Sequence, residues 1–172
     1  MSPVVFVTHS DDWVSERMRR FAPPRWLAAW MLLSTRLGDG WVWAAVVLAV
    51  TARGEGVARA LTETATAIVV VNVTQMGLKH AFRRTRPLRA SAGVIVTAPD
   101  RFSFPSGHTM NAFAVAVIVS IAAPHAAVPA LALAGSVGAS RVVFRLHYVS
   151  DVVAGAAVGS VLAALMSSFG VV

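Results

Sequence analysis

Apolar residues in this chain gather into runs separated by short polar breaks, and run length, more than alternation, defines the elements. Residues 10–20 set Trp13, Val14, Met18 and Phe21 against Arg17, Arg19 and Arg20. That pattern predicts a short helix, capped by Ser10 or Asp11, lying in a membrane interface. Pro23 and Pro24 end it. Residues 26–35 are apolar but too few to cross a bilayer unaided, so they read as a re-entrant or surface segment. Gly38, Asp39 and Gly40 separate this run from a short span at 41–52. After a turn at 53–56, residues 57–78 form a third helical unit. Its polar Glu63, Asn72 and Gln75 are expected to face and hydrogen-bond neighbouring helices. Residues 79–104 are polar and Arg-rich, contain Pro87 and Pro99, and read as a loop. Residues 105–123 then rise about 28 Å, just enough to cross. Pro124 and His125 turn the chain, 126–144 returns, and 149–169 leaves again, with Gly155 and Gly159 spaced for close helix packing.

These elements predict an all-α, polytopic transmembrane bundle of about five spanning or partly spanning helices plus an N-terminal interfacial helix, because backbone in lipid must satisfy its own hydrogen bonds. The expected division is residues 1–40, interfacial and re-entrant helices, and 41–172, the membrane-embedded domain. Asp11, Asp12 and Glu16 fall where a secretory signal would need an apolar core. Composition agrees: of 172 residues 56% are hydrophobic and only 13% charged, with mean hydropathy +0.67, too apolar for a water-soluble domain of this size. With no cysteine, there is no thiolate nucleophile and no Cys-based zinc site.

The net charge is +7, and of fifteen basic residues only Lys79 is not Arg. Arg offers a planar fork of donors suited to phosphate oxygens. Hydropathy excludes nucleic acid as the anionic partner and favours lipid headgroups or phosphorylated lipids. Arg codon bias could explain part of the Arg excess.

Successive spans alternate direction, so the polar clusters at 79–87, 105–108, 140–147 and 151 emerge on one membrane face. This brings Lys79, Arg86, Ser106, His108, Arg141, His147 and Asp151 to one interfacial pocket containing two imidazoles, a carboxylate and three cations. Lys79-x6-Arg86-Pro87, Pro105-Ser106-Gly107-His108 and Ser140-Arg141-x5-His147-x3-Asp151 resemble the three-part signature of the type 2 phosphatidic acid phosphatase superfamily. The resemblance runs from about Trp41 to the C-terminus.

That resemblance implies phosphoryl transfer. Lys79, Arg86 and Arg141 would clamp the phosphate oxygens. Pro105 in a first helical turn would leave the amides around Ser106 and Gly107 free for an anion, and Ser106 would add its hydroxyl. His147 would be the nucleophile, with Asp151 holding its ring tautomer, a contact that requires the last helix to start by His147. His108 would protonate the leaving group and then activate water. No metal or other cofactor is implied, because the cations take the place of Mg²⁺.

Two positions depart from the family pattern. Arg145 stands where members often have a small residue and would add a cation at the pocket mouth, able to bind a second phosphate. Val149 stands where Pro is common. Arg83, Arg84, Arg89 and Arg101 are expected to anchor lipid headgroups. Trp26, Trp30, Trp41 and Trp43 are expected in the interfacial belt. His9, His80 and His125 receive no role. Thirteen of the fifteen bases fall on the catalytic side, which by the positive-inside rule favours a cytoplasmic site. Resemblance to bacterial enzymes of polyprenyl pyrophosphate or phosphatidylglycerol phosphate instead favours an inner-membrane protein whose site faces outward.

The expected activity is hydrolysis of a lipid phosphomonoester or diphosphate. The substrate classes are an isoprenoid phosphate or diphosphate, phosphatidylglycerol phosphate, or phosphatidic acid. The alternatives are a metal-free phosphatase of soluble esters and a non-catalytic membrane scaffold or transporter. Oligomeric state has no legible signal.

Overall fold

The computed structural model describes residues 3–39, 41–42, 45–46, 49, 57–87 and 100–171. Six α-helices are present among them: α1 (Pro3–Arg20), α2 (Arg25–Leu37), α3 (Val57–Phe82), α4 (Gly107–Ala122), α5 (Ala127–Val143) and α6 (Val149–Ser168). The described residues between 41 and 49 are also helical. The described β structure is a single bridge between Thr85 and Phe102. The turn at 53–56, Trp43, Arg89 and Pro99 lie outside the described residues, as does the side chain of Glu63.

The bundle is organised around α4, which packs along both α5 and α6. Residues Asp151, Gly155, Gly159, Ala163 and Met166 recur at helical spacing and are the buried residues of α6. The two glycines bring the helices close. A Cβ at Gly155 would lie 2.6 Å from the Ser106 carbonyl oxygen, and one at Gly159 would lie 2.9 Å from the Met110 carbonyl carbon. The core beneath is apolar, with Met110, Ala112, Ala116, Ala134, Val137 and Ala163 fully enclosed. Outward-facing positions are apolar too: Val73, Val128, Val153, Val161 and Leu165 are exposed. The segment Pro124–Val143 and α6 are each long and apolar enough to cross a membrane. Helix α4 rises only about 24 Å, because Pro105 and Ser106 lie outside it and Ser106 forms its N-cap.

The N-terminal segments depart from expectation. Helix α1 begins at Pro3, so Ser10 and Asp11 fall within it and cap nothing at its start. Asp11 is buried, with its carboxylate engaged in tertiary contacts described below. Helix α2 packs on α5, where Trp30 Nε1 donates to Ser136 Oγ (2.9 Å) and Ser34 Oγ meets the same hydroxyl (2.8 Å). The fully buried Ser34 and Thr35 turn inward, so α2 is more than a surface segment.

Candidate active site

Helix α3 runs past residue 78 to Phe82, placing Lys79 in its last turn and not in the following loop. Asn72, Gln75 and Lys79 then share one face. Arg83 adopts a left-handed backbone (φ 46°), which ends the helix and turns the chain back. Arg84 and Arg86 therefore point into the bundle's end. Helix α4 opens with Gly107, His108 and Asn111, α5 closes with Arg141, and residues 144–148 carry His147 into α6.

Six predicted residues, Lys79, Arg86, Gly107, His108, Arg141 and His147, line one cavity of about 160 Å³. Gly38 and Asp39 after α2, Asn72 and Gln75 of α3, Asp100 and Asn111 complete it. Asn72 and Gln75 thus face the cavity, and the Asn72 amide bonds its own helix at Ile68 O instead of a neighbour. A Cβ on Gly107 would overlap the Gln75 amide, so glycine is what lets that amide lie over the start of α4.

The nucleophile candidate is geometrically specified. His147 Nε2 lies 3.0 Å from Arg86 Nη1, which can only donate, so Nε2 carries the lone pair and Nδ1 the proton. Nδ1–H donates to the Ser103 carbonyl at 2.7 Å. Asp151 Oδ2 stands 3.6 Å from Nδ1 and instead accepts the Tyr148 amide at 2.9 Å. The reason is that α6 starts at Val149, not by His147, so Asp151 occupies the third helical position and reaches back to the N-cap amide. Ser103 O is therefore the tautomer-setting acceptor, and Asp151 supplies a nearby negative charge. Burial, only partly opposed by Asp151 and reinforced by Arg86 and Arg141, pushes the His147 imidazole down to about 4. It is neutral at pH 7.

Each cation is held by the protein. Asp100, which sequence reasoning did not single out, bridges Lys79 Nζ (2.5 Å) and Arg86 Nη2 (2.8 Å), and its carbonyl accepts Arg86 Nε. Burial works against the Asp100 charge, but the Lys79 and Arg86 hydrogen bonds outweigh it and hold the carboxyl below the usual range. Arg141 Nη1 donates to Thr35 Oγ1 at 2.5 Å. Its buried Nε has no hydrogen-bond partner among the described residues. His108 Nε2 lies 3.2 Å from Asp39 Oδ1.

Because Asp100 competes for the donors a phosphate would take, Asp100→Asn is expected to tighten competitive inhibition by inorganic phosphate about tenfold. A weakened inhibition constant would mean that Asp100 aligns the cations instead.

Residues 56–171 match the family model of the PAP2 superfamily. The chain belongs to that superfamily. It is 35% identical over 97 residues to the decaprenylphosphoryl-5-phosphoribose phosphatase of Mycobacterium tuberculosis, covering 54% of this chain and 51% of that protein. It is 38% identical over 85 residues to the lipid A 1-phosphatase of Porphyromonas gingivalis, covering 47% and 17% respectively. The chain thus spans about half the length, or less, of the curated relatives it matches. Among solved structures, the transmembrane PAP2-type phosphatidylglycerolphosphate phosphatase of Bacillus subtilis superposes with TM-score 0.76 at 24% identity, covering 98% of this chain and 87% of that one. Aquifex aeolicus LpxE gives 0.72 at 23%, covering 90% and 92%. These likenesses show a shared fold.

Two motif residues of this PAP2 chain sit differently from expectation. Pro105 follows a cis bond and precedes the helix. Ser106 is fully buried outside the cavity, its amide donating to Asp151 O (3.0 Å) and its hydroxyl accepting from Thr109 Oγ1 (2.9 Å). Only Gly107 and His108 of that turn reach the wall. Arg145 is not at the mouth: it is buried in a left-handed backbone (φ 54°) and does not line the cavity. Val149 opens α6, with Tyr148 as its N-cap. Arg84, expected as a headgroup anchor, turns inward against Asp11, Ser150 and Asp151.

The residues missed had faint signals. Asp39 lies in a Gly-Asp-Gly break and Asp100 follows a Pro, patterns any loop can show.

Proposed function

We propose that this chain is a membrane lipid phosphatase acting through a phosphohistidine at His147. The observation that carries the proposal is a neutral, buried imidazole in the wall of a cavity that also holds Lys79, Arg86 and Arg141, its Nε2 accepting from Arg86 Nη1, a donor that a bound phosphate would draw onto its own oxygens. A phosphate there meets three fixed cations, Lys79, Arg86 and Arg141, beside the amide side chains of Asn72, Gln75 and Asn111. Nε2 attacks phosphorus as the ester P–O bond breaks, and His108, protonated from solvent once the phosphate charge offsets the cations around it, gives that proton to the leaving oxygen. The phosphoimidazolium keeps its Nδ1–H on Ser103 O beside the Asp151 charge. His108 then takes a proton from water, whose oxygen attacks phosphorus and releases inorganic phosphate and His147. Ser106 shapes the turn, and Gly107 admits the anion close to the helix start. The cations do the electrostatic work a metal would do, so no metal or cofactor enters.

The substrate is an amphiphile whose tail stays in the bilayer while its phosphate enters the interfacial pocket. Isoprenoid phosphates or diphosphates, phosphatidylglycerol phosphate and phosphatidic acid fit that description, and the named substrates of the relatives are lipid-linked. We place the protein in a bacterial inner membrane with about five spanning or partly spanning helices, a 1–40 N-terminal unit and the site facing outward. The test is phosphate release by detergent-purified protein from these lipids and from a water-soluble phosphate ester, with EDTA and with orthovanadate. Release from lipids that resists EDTA and is blocked by vanadate is expected. Preference for the soluble ester would point to a soluble-ester phosphatase, and no release from any substrate to a scaffold.

A further inference from the structure

Next to the cavity, but outside it, a chain of ion pairs ties the first helix to the last. Arg84 Nη1 donates to Asp151 Oδ1 (2.9 Å) and to Ser150 Oγ (2.6 Å), while its Nη2 donates to Asp11 Oδ2 (2.8 Å). Asp11 closes the ring by accepting the Ser150 amide at 3.0 Å and the Ser150 hydroxyl. Asp11 and Asp151 are buried, at 3% and 0% exposure. The guanidinium also lies 4.0 Å over the Tyr148 ring. The backbone of Arg84 joins the same structure, because its carbonyl accepts the Ser103 amide at 2.8 Å, and Ser103 is the residue whose own carbonyl takes the His147 Nδ1–H.

We propose that Asp11 and Arg84 are positioning residues for phosphoryl transfer, acting through Asp151 and Ser103 on His147. The inference rests on the histidine-nucleophile reading above. Its physical basis is charge bookkeeping in a dry environment. Arg84 alone would neutralise Asp151, leaving no net charge beside His147. With Asp11 on its other side, the Asp11–Arg84–Asp151 unit carries one net negative charge, available to the cation that forms when His147 is phosphorylated. The unit is over-determined: a fork of donors, two carboxylates and a hydroxyl fix one arrangement. Burial works against the Arg84 charge, yet the Asp11 bond and both carboxylates outweigh it and raise its basicity. A helix outside the three signature motifs thereby takes part in the chemistry. A transition-state effect of this kind lowers kcat and spares substrate binding.

The experiment compares the whole 172-residue chain with Asp11→Asn, Asp11→Glu, Arg84→Lys and, as a control on the same helix, Glu16→Gln, whose exposed carboxylate pairs, among the described residues, with Arg19 and Arg20. Phosphatidic acid in mixed micelles serves as substrate and orthovanadate as the phosphate-site probe. Asp11→Asn is expected to lower kcat about thirtyfold while KM, vanadate inhibition and thermal melting stay within about twofold or a few degrees. Asp11→Glu should restore most of the rate, Arg84→Lys little of it, and Glu16→Gln should match the wild type. The ¹⁵N resonance of His147 Nδ1 should move in Asp11→Asn while those of His80 and His125, remote from the ion-pair chain, do not. This readout needs no turnover, so it tests the relay even if the wild type releases no phosphate from phosphatidic acid; absence of release from every lipid of the panel above would count against the phosphatase reading instead. An unchanged kcat or an unmoved Nδ1 resonance in Asp11→Asn overturns the proposal. So does a loss of rate that tracks a loss of melting temperature or of vanadate binding.

Discussion

His147→Ala is expected to remove lipid phosphate release almost entirely, on the order of 10⁴-fold or more, as for nucleophile removal elsewhere. The cavity would keep its three cations, so vanadate binding should survive the substitution better than turnover does. Trapping with ³²P-labelled substrate at low pH or short times should label the wild type and not the variant. The free enzyme also has a definite pH signature. Its nucleophile is the neutral imidazole, and burial with Arg86 and Arg141 nearby has moved protonation from the ordinary 6.5 to about 4. Between those values His147 therefore stays unprotonated and competent. As pH falls through about 4, Nε2 takes a proton and the lone pair is lost, so the limb of kcat/KM governed by His147 should drop about tenfold per pH unit there. A His147 limb centred at 6.5 would mean that the ring is solvated, contrary to its 3% exposure. Substrate-level retention of activity in the alanine variant would remove His147 from the reaction.

Gly159→Val is expected to be the most damaging change remote from the cavity. A Cβ there would sit 3.1 Å from Met110 Cα and 2.9 Å from its carbonyl carbon, with the carbonyl oxygen closer still. These neighbours are helix backbone, which cannot step aside as a side-chain tip can, so α4 and α6 must separate. Overpacking of this kind destabilises by about 3 kcal/mol. The same two helices carry Gly107, His108 and Asp151, and the amide of Ser106, the N-cap of α4, bonds the Asp151 carbonyl across them. Activity should fall with stability, in contrast to His147→Ala. Thermal unfolding in detergent, followed beside phosphate release, checks both; a variant that melts with the wild type would show that the helices tolerate wider spacing.

Both predictions reveal which features were legible in the chain. Helices α3 to α6 and their order follow from run length and breaks, since a bilayer demands long, internally bonded apolar segments and leaves few other solutions. The small-residue stripe of α6 is also readable, because i, i+4 spacing converts directly to one face. Alternating direction then implies that the ends bearing Lys79, His108, Arg141 and His147 meet. Less legible were features set by partners distant in sequence. Asp11 looks like an N-cap by local rules, yet its oxygens engage Arg84 and Ser150. Arg84 looks like any loop arginine near a headgroup.

From its sequence alone, the chain's membrane character, helix order and the identity of the cavity's cations and imidazoles were determined, because these rest on composition, periodicity and motif spacing. Only the tertiary structure decided that Ser103, not Asp151, accepts the His147 Nδ1–H, that Asp100 bridges Lys79 and Arg86, and that Asp11 pairs with Arg84 and Ser150. A hydrogen-bond partner is chosen over distances of about 3 Å by the relative placement of whole helices, and that placement is a property of packing which no local pattern of residues encodes.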